Sequence, residues 1–441
     1  MTTLTHEHQQ AVRMIRDSAT AVFPSRGSPA RVRELRFRSP GHDPATYREM
    51  CALGWAGLRL DDAAGGSGLG VAELVAIAEA LGAALVPEPI LATAAIAPLF
   101  VGDALAPTRT EILSGQLIVA PAWAERVNGL DAALSTRFVD GRVDGVKRFV
   151  PSGGAQAFLV AAREGLALVR RDDPGVTVVE HFTQDGGVLA ELRLDGAPGT
   201  AVPGNLEGAL AELTLANAGV LLGTMDRMIE ITLEYLATRR QFGQPIGSFQ
   251  VLQHRMVDLK LQLDISRAVL AEAAAVLDGR TDNATRATAV SRASARLSEA
   301  AMTVAREAIQ LHGAIGMTTS ATSGCTRARC SPSTTASAVR RRTARATCGW
   351  AAPRRPTRRC RRVKGPPPSC RQTTTTGPTR RSAPTCASGW RPTTRPSCVI
   401  RPSGCTGATP RAGTTGCPRT AGLPRAGRAS TAAWGCCRPS R

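Results

Sequence analysis

Beyond Thr318 the chain contains no Asp or Glu, although all 35 of its acidic residues precede that point. The same stretch, 319–441, holds 25 of the 55 Lys+Arg and 11 of the 12 cysteines. It has one Leu (Leu423), one Ile (Ile400), three Val, and no Phe, Tyr, Met, His or Asn. So few apolar side chains cannot bury enough surface to offset the entropy of ordering the backbone, and a disordered Arg/Pro/Thr/Cys-rich tail is expected there. The folded part of the chain is therefore expected within residues 1–318.

The tail's residue types are those that GC-rich DNA encodes when read out of frame. With G/C-rich codons chosen for TSATSGCTRARCS, 319–331, one extra G after Thr318 regroups the string to read DERDLGLYTRALF. That is an ordinary start for a capped amphipathic helix. The tail is thus expected to be a frameshift product, and sequencing the DNA at the Thr318 codon tests this. A second reading is an Arg-rich nucleic-acid-binding arm, which would release counterions from phosphates. A zinc module is disfavoured, because the tail has no C-x₂-C pair and no His. A disulfide framework conflicts with the remainder of the chain, where Cys51 is the only cysteine.

The net charge of +20 comes from the tail alone, since residues 1–318 carry 30 basic against 35 acidic side chains. Without the tail the case for a nucleic-acid partner disappears. Residues 1–318 read as an Ala/Leu/Val/Gly-rich cytoplasmic protein. No apolar run reaches the roughly 18 residues of a membrane span, and the start MTTLTHEHQQ is polar rather than signal-like. Helical periodicity covers 4–23, 45–53 and 71–85, with the Gly-rich segment GWAGLRLDDAAGGSGLG before the last of these. From Gln116 short Val-rich runs alternate with Asp-Gly and Gly-rich breaks, the signal of antiparallel hairpins. Long helical blocks return over 206–240, 248–278 and 284–313, the first two joined by the turn RRQFGQPIGSFQ. An α+β chain is expected: a helical domain 1–117, a middle antiparallel β domain 118–205, an incomplete helical bundle 206–318, then the tail. The bundle should close with one or two further helices after Met317. No metal site is expected.

This order, together with GWAGLRLDDAAGGSGLG, YLATRRQFGQPIGSFQVLQHRMVDL (235–259) and AREAIQLHGAIGMT (305–318), resembles the acyl-CoA dehydrogenase family. The shortened loops of the β region resemble its small-subunit branch. The resemblance implies an FAD-dependent enzyme that converts an acyl-CoA thioester to the trans-2-enoyl-CoA, in lipid, sterol or acid catabolism. It also implies an acyl-CoA substrate, an electron-transfer flavoprotein or similar acceptor, and a homo- or hetero-oligomer with a related subunit. The alternative within the family is a non-catalytic flavoprotein subunit whose partner supplies the competent site.

Position by position, the resemblance implies that Arg239 contacts the FAD pyrophosphate of a neighbouring subunit, a task that suits a guanidinium fork. Phe242 and Gln250 correspond to residues lining the adenosine half. Gln310, Gly313 and Gly316 match the Gly-rich segment on which that nucleotide rests, with Ala314 where a second glycine is common. Phe149, Val150 and Pro151 stand where the family has W-I-T. Phe149 can pack on the flavin ring, whereas Pro151 has no hydroxyl or amide to donate. APAWAE (120–125) replaces a longer loop rich in hydroxyls, and Trp123 reads either as an aromatic wall or as core. Taken alone, Arg239 and Arg240 would be a solvated helix end, and His254 and His312 carry no assigned chemistry. Some members place the catalytic base one position after the flavin arginine, which here is the cation Arg240. Others place it in a C-terminal Y-E-G motif, and this chain has no carboxylate after Glu307. No residue is nominated as base.

Overall fold

The computed structural model describes residues 6–22, 29–126, 134–279 and 281–317. The tail, 319–441, lies outside the described residues. Helices α1 (His6–Val22), α2 (Pro29–Leu35), α3 (Pro44–Ala52), α4 (Val71–Ala83), α5 (Ile90–Ile96) and α6 (Ala106–Leu113) come first. Strands β1 (Val119–Ala122), β2 (Arg137–Val139), β3 (Arg142–Pro151), β4 (Ala157–Ala162), β5 (Gly165–Arg170), β6 (Val176–Phe182), β7 (Val188–Pro198) and β8 (Thr200–Val202) follow. The long helices α7 (Leu206–Thr238), α8 (Gln250–Asp278) and α9 (Asn283–His312) complete the expected α–β–α order, with a tight pair β9 (Arg240–Gln241) and β10 (Gln244–Pro245) between α7 and α8.

Local chemistry starts these helices where the sequence allows it. Asp43 accepts from the amides of Ala45 and Thr46 ahead of α3, whose first residue is Pro44. Asn205 does the same for α7 through Glu207 and Gly208, and Asp282 caps α9 through Thr285. The start of α4 is capped from a distance: Asp278, the last residue of α8, accepts from the amides of Val71 (2.6 Å) and Ala72 (3.1 Å). A carboxylate at a helix N-terminus is stabilised by the exposed N–H groups and the helix dipole, so this contact also ties the end of α8 to the first helical segment.

The strands form two four-stranded sheets, ordered β1-β4-β5-β8 and β2-β3-β7-β6. Their ladders are antiparallel except at one place, where β1 runs parallel to β4 from Val119↔Ala157 to Ala122↔Val160. The exception arises because β2 and β3 belong to the other sheet and return the chain to β4 in the original direction. One core joins Tyr47, Trp55, Leu74 and Ile77 of the helices to Val143, Phe158, Val169 and Leu192 of the sheets. A second lies among α4, α7, α8 and α9, with Leu215, Leu222, Leu259, Leu263, Leu297 and Val304 buried. Helix α7 is long and apolar enough to cross a membrane by composition, but 56% of that window is buried in the protein. It is the central core helix, packed on α4 through small residues: Thr224 donates to the Gly82 carbonyl across the seam (3.2 Å).

Candidate functional site

Helix α7 ends at Thr238, directly before the RRQFGQP segment, whose first residue Arg239 is its C-cap. The Arg239 amide still donates to the Tyr235 carbonyl (2.9 Å), but its own backbone is extended. Arg240 and Gln241 then pair with Pro245 and Gln244 in a two-residue hairpin. Both residues at its tip have positive φ, Phe242 at 55° and Gly243 at 82°. Gly adopts this conformation freely, whereas a phenylalanine in it stores on the order of 1–3 kcal/mol of strain. The same Phe242 is 88% exposed, touched edge-on by Phe249 at 6.1 Å between ring centroids. The strained tip thus holds an aromatic ring out in water, away from the core.

Arg239 is exposed on this hairpin and makes no side-chain hydrogen bond or ion pair among the described residues. Arg240 instead turns back to donate to the Gly243 carbonyl (3.1 Å). The position that could have carried a base is therefore filled by a cation that closes the hairpin. Gln250 opens α8 and is exposed, while its neighbour Gln253 donates to the Gly247 carbonyl (3.1 Å).

The second expected segment closes α9. Gln310 is exposed, and Gly313 caps the helix at φ 64° with open space where a Cβ would stand. Backbone there is free for close approach by a ligand. His312, unassigned from sequence, turns out to be structural: its Nδ1 donates to the Ala308 carbonyl (2.8 Å) and its buried ring stacks on Tyr235 at 4.6 Å and 23°. This stack joins the end of α7, four residues before Arg239, to the end of α9, two residues after Gln310. Arg239 and Phe242 thus share one hairpin, Gln310 and Gly313 share one helix end, and the two ends are pinned to each other. A His and a Tyr far apart in sequence give no local signal of such a pairing.

Phe149 lies on β3, a separate element. It too has a positive φ, 58°, inside a register shift of the β3–β7 ladder between Lys147 and Val150. The bulged segment is held by the residues after β1, where the Arg148 amide donates to the Ala124 carbonyl (2.7 Å). Trp123 is half-buried against the core. Ser135 and Thr136 carry the hydroxyls of this region, and both donate to Glu125 (2.6 and 2.7 Å). Pro151 pairs with Leu189 at the end of the ladder.

The described residues also form a cleft of about 120 Å³ between α1, α4 and α7, lined by Arg16, Glu79, Gly223, Asp226, Arg227 and Glu230. Burial raises the Asp226 carboxyl above its ordinary range, opposed by Arg267, which bridges Asp226 and Glu79 at 3.2 and 3.0 Å. Drug-sized ligands occupy clefts of roughly 300–1,000 Å³, so this one is too small for an acyl-CoA. Cys51 is buried, and burial pushes its thiol up to about 11, which removes it as a nucleophile.

Residues 5–101 match the acyl-CoA dehydrogenase N-terminal domain and residues 206–334 the C-terminal domain. Over 314 residues the chain is 30% identical to the acyl-CoA dehydrogenase IpdE2 of Mycobacterium tuberculosis, covering 69% of this chain and 86% of that one. This chain belongs to the acyl-CoA dehydrogenase family. A second IpdE2, from Mycolicibacterium smegmatis, is 33% identical over 308 residues, 69% of this chain and 87% of that one. Among solved structures, a variant of the Tcur3481-Tcur3483 steroid ACAD superposes with a TM-score of 0.70 at 27% identity, over 77% of this chain and 98% of that one. The ChsE4-ChsE5 complex of Mycobacterium tuberculosis gives 0.67 at 26% identity, over 80% of this chain and 100% of that one. The hairpin and the α9 end both fall within the C-terminal family match. The β region from 102 to 205 falls in neither match, and there the expected flavin-facing loop departs most from the family pattern.

Proposed function

We propose that this chain binds FAD and serves as a subunit of an acyl-CoA dehydrogenase that removes two hydrogens across the Cα–Cβ bond of an acyl-CoA thioester. The observation that carries the reading is the pinned corner of Arg239, Phe242, Gln310 and Gly313. A guanidinium with no partner among the described residues, an aromatic ring held in water and an open left-handed glycine are complementary to a pyrophosphate and an adenosine. These residues fit the nucleotide half of FAD, with Gln250 beside them at the start of α8. The flavin half is served differently. Phe149 and Trp123 offer apolar surface, but the hydroxyls of Ser135 and Thr136 are committed to Glu125 and Pro151 has no donor. When bound, the flavin supplies the two-electron acceptor that no side chain here can provide.

Two features favour a partner subunit. Arg240 occupies the position open to a base, and no carboxylate follows Glu307. Val251, Val257, Leu261 and Ile265 stand exposed along α8, a stripe that a related subunit or further bundle helices would cover. The second reading, a flavin-binding subunit that completes a catalytic relative, rests on these two features. Lipid or steroid-derived acyl chains are the proposed substrate class, supported by the steroid ACAD among the structural relatives. The chain is to be purified alone and with a larger homologous acyl-CoA dehydrogenase, then assayed for acyl-CoA-dependent dye reduction. Turnover by the chain alone supports the catalytic reading. Turnover only in the mixture, with both chains co-eluting, supports the second. Absence of bound FAD in every preparation refutes both.

A further inference from the structure

The β3 strand carries a lysine where its inward face should be apolar. Lys147 is fully buried, and its Nζ donates to Glu125 Oε1 at 2.7 Å. Glu125 also accepts from the amides of Ser135 (2.7 Å) and Thr136 (3.0 Å) and from both of their hydroxyls. Burial alone would raise its carboxyl, but these donors, Lys147 first, hold it well below the usual carboxylate range. Burial lowers Lys147 from its ordinary value, opposed by Glu125. A buried pair is weak evidence of stability, because desolvating two charges offsets most of their attraction; its best-attested use is to fix register.

Register is what changes at this point. Val143 and Lys147 face inward, and strict alternation would turn Phe149 inward as well. Instead the ladder slips directly after Lys147, Val150 takes the buried place, and Phe149 is left half-exposed in a left-handed conformation. The segment freed from β7 is held by Ala124, the residue between Trp123 and Glu125, through the Arg148 amide. One charge pair and one backbone bond thus clamp both aromatic side chains of the proposed flavin wall. We infer that Lys147 and Glu125 are positioning residues, which set the β3 bulge and the post-β1 segment so that Phe149 and Trp123 face the flavin ring. This rests on the FAD reading above.

The test uses the full chain carrying Glu125→Gln with Lys147→Met, which removes both charges and leaves none alone. It is compared with the wild type and with Lys147→Met alone. Hydrogen exchange is followed over 119–126 and 146–151, and the visible spectrum of FAD is recorded at saturating FAD. The expected result for the double variant is exchange about tenfold faster in those two segments, with the other strands unchanged, and loss of the wild-type shift in the flavin bands. Lys147→Met, which strands a carboxylate, is expected to speed exchange throughout both sheets. Unchanged exchange in the double variant overturns the inference, as does loss of protection across both sheets, which would mark a merely structural pair. Local loosening with a wild-type flavin spectrum overturns it too. A wild type that leaves the FAD spectrum unaltered counts against the FAD reading instead, while the exchange data still decide whether the pair positions the bulge.

Discussion

Replacing Gly223 with Ala should separate the two helices on which the whole arrangement hangs. Gly223 sits on α7 where it crosses α4, and a Cβ there would stand 1.8 Å from the Glu79 carbonyl oxygen, 2.8 Å from its carbon and 2.9 Å from the Ala83 nitrogen. All three are backbone atoms, so no side chain can rotate away, and the helices must part by about 1.2 Å to reach even the tightest contact seen in proteins. Overpacking of this kind costs about 1–3 kcal/mol. A gap of that size also forfeits much of the dispersion attraction between the facing side chains, among them Leu74, Val75, Leu215 and Leu222. Against this, Ala is favoured over Gly inside a helix by about 1 kcal/mol. With the lost dispersion offsetting most of that gain, the net loss is about 1–3 kcal/mol, or a fall of roughly 2–5 °C in Tm at about 2.1 cal/mol/K per residue for a folded part of about 300 residues. Gly208→Ala is the control in the same helix, since its Cβ would meet only the movable Asn205 side chain at 3.3 Å. It should be neutral or stabilising by up to about 1 kcal/mol. Thermal unfolding by circular dichroism with urea titration reads both. A Gly223→Ala variant as stable as Gly208→Ala would refute the close seam.

The remaining expectations concern the site and the junction of helices and sheet. Arg239→Ala should weaken FAD binding by about ten- to a hundredfold in a flavin-fluorescence titration, the effect of a lost charge-assisted contact, while Arg240→Ala should weaken it far less. Phe242→Gly should raise stability by about 1 kcal/mol through relief of the left-handed strain and yet lower FAD affinity; a gain in both would remove Phe242 from the binding surface. Burial depresses His42, which packs near Glu88, Asp43, Arg31 and Tyr47 and whose Nε2 has no hydrogen-bond partner among the described residues. The unfolded chain therefore takes up that proton first, so the stability from neutral His42 is present above about pH 6.5 and is lost as pH falls through the folded value. His42→Gln should flatten the fall in urea midpoint between about pH 6.5 and 5, a window above the carboxylate titrations.

The backbone of the corner proposed to hold the nucleotide was legible because its signals are consecutive. RRQFGQPIG carries a helix end, a hairpin tip and a new helix start within a dozen residues, and QLHGAIG ends a helix with a glycine. What binds these two pieces together was not legible, since Tyr235 and His312 are ordinary residues until α7 and α9 are packed. The buried Lys147 escaped for a similar reason. In VDGVKRFV a lysine reads as the outward member of an alternating strand, and its partner Glu125 comes from a segment layered beneath β3. The short helices α5 and α6 span only seven and eight residues, too few for a helical period to separate them from loop. The parallel β1–β4 pair depends on which sheet the intervening strands join, a choice that hairpin signals do not encode.

The most direct test is the FAD content of two versions of the chain. One is the chain as it stands, and the other is expressed from DNA with a single nucleotide inserted after the Thr318 codon, so that the alternative frame supplies the residues that follow. Protein and flavin are quantified after gel filtration in excess FAD. One FAD per subunit is expected for the second version, with an amount reduced in the first. Two products that both elute as folded protein without bound flavin would contradict the claim that this family member is a flavin-binding acyl-CoA dehydrogenase subunit.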